Sequence, residues 1–573
     1  MKTIFKSVQR ILSIFLTALV LTITSCSKDT VAPPVDEIID GGGSGDGNIE
    51  TGPGIDLESV EKDNGELGLM VNAREITKKG YNTAFADILV EASTGNFSQI
   101  DVPIDEFTNI AALRLEIDDL TEEQEAELRD GVELVVTVKD ASKAVLEVLN
   151  FTKTSFTDSP DELVMPGEGL EDLTDVVKFR SDIPYYIQTY KADGTEIVGG
   201  LDNRAFTDGS NLSRTIGFRE TDAINYANDT STAYFFEEIP GKPNVFSFGV
   251  RDGEEDRLYA YVNSGSSTGT LNIQTRANRR RNGSNTNTAD LLNYQYRIEK
   301  AGLGLYTITS LLDEGSIGPF LASGDPVAAN IRFGSKSNDG PAFFRIVTFD
   351  IDWDIQELET RFTQPILPPA NTDAAFNSTL RNCSSGELVQ TVGQAETLTS
   401  TTFTAWEDTF SVSTTDTYSI SATISAEVEG NFFGNKATVG IEVTGGYEFS
   451  KTETETNTRS GGLENSRSVT VSTERSITVP PQRATQVSDL YQTYRNIKVP
   501  FVQRFRVKGD FQEDGSPLSG EEILTQFNFN SFSGVVTEIG ADFIEVTIRG
   551  TNTIDRLIDT RTSADNVEPN CGG

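Results

Sequence analysis

Between Tyr418 and Val428 the chain alternates without a break. Tyr418, Ile420, Ala422, Ile424, Ala426 and Val428 are apolar; Ser419, Ser421, Thr423, Ser425 and Glu427 between them are polar. A helix needs apolar residues three and four apart, so a period of two restricts this stretch to a strand with one apolar and one wet face. Gly430-Asn431-Phe432-Phe433-Gly434-Asn435 reads as a turn. The chain then returns through Ala437, Val439, Ile441, Val443, Tyr447 and Phe449, with Thr438, Glu442, Thr444 and Glu448 in the opposite phase. Two such strands make one amphipathic hairpin with Phe432 and Phe433 at its tip.

The hairpin is long enough to cross a bilayer. Eleven residues, Tyr418 to Val428, at about 3.3 Å each reach ~36 Å. A tilt of about 40° brings that to ~28 Å, against the ~25 Å apolar band of a membrane barrel. A lone hairpin would leave its edge N–H and C=O groups unpaired in hydrocarbon, so several copies must share one closed ring. Alternation would then turn Ile420, Ile424, Val428, Val439, Ile441 and Val443 to lipid, with Tyr418 and Tyr447 in the same phase. Ser421, Thr423, Glu427, Glu429, Glu442 and Glu448 would line the lumen, whose acidity predicts cation preference. The same alternation also describes any half-solvated antiparallel sheet, so the pattern by itself leaves both readings open.

Strand patterning continues on both sides. Phe410 to Thr417 reads as a leading strand. After the hairpin come Lys451 to Thr456, Ser468 to Ser472, Ile477 to Pro481, Lys498 to Phe501 and Phe505 to Gly509. Over residues 385 to 515 this order of Ser/Thr-rich strands resembles the aerolysin family of β-pore-forming proteins. The resemblance implies that Tyr418 to Phe449 is the membrane-inserting segment of a module spanning 370–573. Family members are usually soluble and secreted, and here the chain departs from them.

Its first 25 residues read as a leader. Lys2, Lys6 and Arg10 precede a short apolar run, Ile11 to Ile23, and Ile23-Thr24-Ser25-Cys26 resembles the lipobox of bacterial lipoproteins. Cys26 is the expected lipidated residue, which would anchor an exported chain to the bacterial outer membrane or cell surface; ordinary cleavage beside an incidental cysteine is the alternative. Residues 26–64 read as a Gly-, Asp- and Pro-rich tether. Two cysteines remain, Cys383 and Cys571, and in an oxidising compartment they are expected to pair.

The middle of the chain is also all-β. Residues 65–160 carry short alternating runs, Leu67 to Val71, Leu113 to Ile117 and Val132 to Val136, at sandwich spacing, with Thr121 to Arg129 as a short acidic helix or loop. From 175 to 360, aromatic marks recur at Phe236, Tyr296 and Phe344, spaced 60 and 48 apart. This resembles a β-trefoil, the fold of ricin-type lectins. The Gln-x-Trp signature of those lectins is not met, since Arg297 follows Gln295 by two, so no sugar-contacting residue carries over. A trefoil beside an aerolysin-like module resembles lectin-type pore formers, in which the trefoil targets the cell surface.

Composition excludes several functions. The 573 residues carry a formal charge of −40 and no histidine. Such acidity works against nucleic acid and against docking on anionic lipid. Without histidine the usual general base and the commonest metal ligand are both missing, no calcium-loop spacing appears, and no cofactor is expected. Asp350, Asp352 and Asp354 are close enough to suggest acid–base work, but an acidic strand end accounts for them, and no enzyme is expected. Arg279-Arg280-Arg281 lies in an Asn/Gly/Ser run that reads as an exposed loop, with a contact to an acidic glycan or a phosphate headgroup as the alternative. Two functions remain: a homo-oligomeric pore former that first binds a glycan or protein receptor, and a surface-anchored binding lipoprotein that never inserts.

Overall fold

A computed structural model describes residues 66–157, 161–190, 196–208, 211–219, 231–252, 256–262, 271–276, 292–302, 304–321, 331–336, 341–362, 371–392, 395–413, 418–432, 435–449, 464–472 and 475–569. Apart from a few short helices, the elements are strands.

The N-terminal unit holds β1 (Glu66–Asn72), α1 (Arg74–Lys78), β2 (Thr83–Glu91), β3 (Phe97–Pro103), β4 (Ile110–Glu116), α2 (Glu122–Asp130), β5 (Val132–Asp140), β6 (Val145–Thr154) and β7 (Glu162–Val164). The strands form two sheets, β4-β1-β7 and β3-β2-β5-β6. Alternate residues enter the space between them: Leu67, Leu69 and Val71 from β1, Ala86, Ile88 and Val90 from β2, Leu134, Val136 and Val138 from β5, all buried in one cluster. Each larger aliphatic contributes about 1.5–3 kcal/mol on burial. Period-two burial against a second sheet is the definition of a sandwich. The acidic stretch is a helix because Thr121 caps it: its hydroxyl accepts from the Gln124 N–H and the Gln124 side chain answers the Thr121 N–H.

Twelve strands follow: β8 (Tyr186–Tyr190), β9 (Glu196–Asp208), β10 (Asn211–Arg219), β11 (Tyr234–Glu238), β12 (Val245–Asp252), β13 (Asp256–Val262), β14 (Leu271–Arg276), β15 (Tyr296–Gly302), β16 (Leu305–Ser310), β17 (Gly315–Leu321), β18 (Ile331–Ser335) and β19 (Phe343–Val347). Their pairing is threefold. β11 pairs β12, β12 pairs β15, β15 pairs β16, β16 pairs β19 and β19 pairs β8, while a bridge from Tyr185 to Tyr234 closes the ring. The remaining six form the hairpins β9–β10, β13–β14 and β17–β18. These touch one another at Thr215↔Gln274, Gly217↔Arg332 and Leu271↔Ser335. A closed six-stranded barrel capped by three mutually paired hairpins is a β-trefoil, and closure removes the exposed edges that a flat sheet would leave. The three aromatic marks of the sequence fall on the fourth strand of each unit: Phe236 on β11, Tyr296 on β15 and Phe344 on β19, all fully buried.

The C-terminal module contains β20 (Ile351–Phe362), β21 (Asn371–Asn382), β22 (Leu388–Val392), β23 (Ala395–Trp406), β24 (Tyr418–Phe432), β25 (Asn435–Phe449), β26 (Glu464–Ser472), β27 (Arg475–Val479), β28 (Arg483–Phe511), α3 (Gly520–Phe529), β29 (Val535–Ile539) and β30 (Ile544–Val567). Its spine is β28, 29 residues long, which at about 3.3 Å per residue extends ~95 Å. β30 runs antiparallel along it from Ala484↔Val567 to Val507↔Ile544. On the other edge β21 pairs the first half of β28 and β20 the second. The sequence suggested that the trefoil ran to residue 360. Instead β20 belongs to this sheet, because its alternating Ile351 and Ile355 pack into the core shared with Val507 and Phe511.

Candidate functional site

The site of interest is the hairpin and the segment from which it springs. β24 and β25 pair in strict register from Tyr418↔Phe449 to Phe432↔Asn435. Each strand is 15 residues long, longer than the alternating run suggested. The pairing runs on through Phe432 and Asn435, which the sequence places in the turn; Phe433 lies outside the described residues. Residues directly opposite in an antiparallel pair share a face. Ile420 stands opposite Tyr447, Ile424 opposite Val443, Ala426 opposite Ile441 and Val428 opposite Val439. On the other face Ser419 is opposite Glu448, Ser425 opposite Glu442, Glu427 opposite Gly440 and Glu429 opposite Thr438. One face therefore collects apolar residues from both strands and the other collects the acids.

Among the described residues, β24 and β25 pair only with each other. An isolated two-stranded ribbon is marginally stable in water. Moving this one breaks no ladder bond to a third described strand.

The root of the hairpin is fixed. The alternation after β23 predicts a strand from Phe410 to Thr417; residues 410–413 are instead irregular and 414–417 lie outside the described residues. The alternation of Phe410 and Val412 with Ser411 and Ser413 misleads because all four are buried. Phe410 stacks on Phe505 at 5.1 Å and lies 5.6 Å from Phe527. Ser411 Oγ donates to the Asn530 carbonyl at 3.0 Å, and Ser413 Oγ to Asn530 Oδ1 at 3.0 Å. Trp353 Nε1 donates to the Ser413 carbonyl at 3.0 Å. Thr409 and Ser533 exchange bonds, 2.7 Å to Ser533 Oγ and 3.1 Å back from Ser533 N.

Each neighbouring domain reaches this root. From the trefoil, buried Arg345 donates to the Phe529 carbonyl at 3.0 Å, to Gln188 Oε1 at 3.3 Å and to Asn530 Oδ1. The Phe529 ring sits 4.2 Å from Tyr306 and 5.9 Å from Phe179, so trefoil and module share one apolar core. From the sandwich, Arg74 Nη2 donates to Asp408 Oδ2, with both side chains buried. The same carboxylate oxygen accepts the Arg549 N–H at 2.7 Å. Arg549 in turn holds Glu162 of β7 in a two-toothed pair at 3.0 and 2.5 Å. Burial lowers the Arg74 pKa, an effect opposed by Asp408. Burial also opposes the charge of Arg549, but Glu162 outweighs it and raises that pKa.

None of Arg74, Asp408, Arg345 or Asn530 was singled out from sequence. Ion pairs 334 positions apart leave no local pattern. The helix α3 did leave one: Ser519 and Glu522 form a capping box, Ser-x-x-Glu in the sequence. Asp352 and Asp354 are exposed on β20, where Asp352 accepts from Gln512 at 3.0 Å. Among the described residues no cluster of three or more acidic or cysteine side chains is placed to hold a metal, and no helix is long and apolar enough to cross a membrane. Cys26, the Arg279–Arg281 run and Cys571 lie outside the described residues. Cys383 follows β21, whose last residue Asn382 pairs with Arg483; the adjacent Ala484 pairs with Val567 near the end of β30.

Neither a family model nor a curated protein matches the chain. Solved structures do. The Cry23Aa1–Cry37Aa1 binary complex is 15% identical over 39% of this chain and 87% of that one, with a TM-score of 0.25. The β-pore-forming protein Mpp75Aa1.1 from Brevibacillus laterosporus is 10% identical over 46% and 90%, at 0.21. The designed threefold-symmetric protein ThreeFoil is 15% identical over 29% and 99%, at 0.20.

Proposed function

We propose that this chain is an aerolysin-like, β-pore-forming protein that assembles into a homo-oligomeric ring on a target membrane and inserts one hairpin per copy. The observation that supports this most is the hairpin itself: strands of 15 residues, in a register that sorts apolar from acidic residues onto opposite faces, paired with no third described strand and sprung from a buried root. In the barrel Tyr418, Ile420, Ile424, Val428, Val439, Ile441, Val443 and Tyr447 face lipid, Phe432 and Phe433 lead, and Glu427, Glu429, Glu442 and Glu448 line the lumen. The trefoil engages a receptor, a glycan or a protein, and the sandwich spaces the assembly from an anchor at Cys26. A Cys383–Cys571 disulfide ties the tail to the sheet, consistent with the neighbouring strand ends. No enzymatic step is assigned.

The test is dye release from liposomes of natural cell lipid, using the chain from Ser27 onward. Release, with rings visible on the membrane and cation-selective single channels, is the expected result. Protein that binds cells yet stays monomeric and releases nothing would establish the second reading, a tethered binding lipoprotein. The lipobox and the closed trefoil barrel favour that reading.

A further inference from the structure

The sheet of the C-terminal module narrows partway along its spine. On one edge of β28, β21 pairs Arg483 to Thr493 and β20 pairs Phe501 to Phe511. Beyond β30, β23 pairs Gly550 to Ile554 and β29 pairs Ile544 to Thr547. Between these spans the described sheet is only β28 and β30, at Tyr494↔Leu557, Arg495↔Arg556 and the row that follows. That row is unpaired: the ladder passes from Arg495↔Arg556 directly to Ile497↔Ile554. Asn496, which stands there, has a φ of 56°. This is left-handed backbone, open to Asn but foreign to a strand. The register also sets Arg495 opposite Arg556, and like charges so placed weaken a ladder. Pro500, just beyond, has no N–H to give.

The parts on either side of this neck have cores of their own. The distal part holds β21, β22, β27 and the first part of β28, where Leu380, Val392, Val479 and Val487 cluster. The proximal part is continuous with the trefoil: Phe505, Val507 and Ile548 share its core. A two-stranded ribbon is marginally stable and takes more twist than a wide sheet. Non-glycine residues in left-handed backbone are strained, and such strain gathers at switching segments. Hinges are a few residues that absorb a large φ/ψ change between parts that move as units. We propose that the neck is a hinge: Asn496 passes between left-handed and extended backbone, and the distal part swings relative to the part that holds the hairpin root. The arm from Arg483 to Arg495, at about 3.3 Å per residue, is ~43 Å long. A bend of ~10° at the neck therefore moves its far end by about 7 Å. The inference rests on strand pairing and backbone conformation, and stands or falls separately from pore formation.

Distances between spin labels on the whole chain, read by pulsed electron resonance, test it. The labels are carried on p-acetylphenylalanine, which leaves the native cysteines untouched. Exposed Arg483 or Val389 takes one label in the distal part, and exposed Glu407 takes the other on the proximal side. Glu407 with exposed Asp510, both proximal, gives the width of a rigid pair. Both pairs that span the neck should give two distances, or one distribution about twice as wide as the proximal pair. Asn496 is exposed, so its replacement leaves the cores untouched. Asn496→Thr, whose branched side chain disfavours left-handed backbone, should narrow both distributions to the width of the proximal pair. Asn496→Gly keeps access to both conformations and should leave them wide. Distributions across the neck as narrow as the proximal pair in the parent chain would overturn the proposal. So would widths that Asn496→Thr leaves unchanged, or that both variants narrow alike.

Discussion

Removing the Asp408 carboxylate should loosen the sandwich from the hairpin root. Asp408 is 7% exposed and Arg74 3%, so Asp408→Ala leaves a guanidinium buried with no counter-charge at contact distance. Lost partners of this kind cost about 3–5 kcal/mol. The Arg549 N–H also loses its acceptor. Asp408→Asn restores that acceptor but not the charge, and should recover only about 0.5–1.5 kcal/mol of the loss. Two nitrogens of Arg74, Nε and Nη1, have no hydrogen-bond partner, so the native pair is itself costly to bury. The apolar double replacement Arg74→Met with Asp408→Leu should therefore return to within ~2 kcal/mol of the parent. Urea unfolding followed by the fluorescence of Trp353 and Trp406, with hydrogen exchange to resolve the sandwich core from the rest, measures all three. A loss below about 1 kcal/mol in Asp408→Ala, the value of an exposed pair, would refute the reasoning. So would a double variant as unstable as the single one.

Other consequences follow from the packing and hydrogen bonding of single residues. Glu127 accepts from Ser93 N at 2.6 Å and from Thr94 Oγ1 at 2.6 Å, and those hydroxyl and amide bonds lower its pKa from 4.5 to about 2. Its contribution to stability is therefore full above pH 4.5 and is lost as pH falls through 2; carboxyl NMR titration should find it still ionised when other glutamates are protonated. Phe529→Ala should cost about 3–5 kcal/mol and destabilise trefoil and module together, because the ring contacts Tyr306 and Phe179 across the shared core; calorimetry showing an unchanged trefoil transition would contradict this. Gly520→Ala would bring a methyl within 2.4 Å of the Gly540 carbonyl and 2.6 Å of the Phe543 carbonyl, and should lower stability by about 1–3 kcal/mol in thermal unfolding.

Much of this architecture is legible in the sequence because a strand repeats every two residues. Leu67, Leu69 and Val71 announce a buried face, and the hairpin announces both of its faces at once. The trefoil is legible through Phe236, Tyr296 and Phe344, which recur because each unit contributes its fourth strand to one barrel. Their uneven spacing reflects connections of different length between equivalent strands. What the sequence hides is long-range. Strand β20 reads as the end of one domain and pairs in the next, since alternation shows which face is buried but not against what. The root at residues 410–413 looks like a strand because its serines are polar, yet those serines are buried and spend their hydroxyls on Asn530.

The most direct test is a single-cysteine scan from Ile424 to Val428 on an otherwise cysteine-free chain, labelled with an environment-sensitive dye and added to membranes. The hairpin reading predicts a period of two: Ile424, Ala426 and Val428 report hydrocarbon, while Ser425 and Glu427 report water. Signals that stay aqueous at all five positions, or that show no alternation, would contradict insertion of this hairpin.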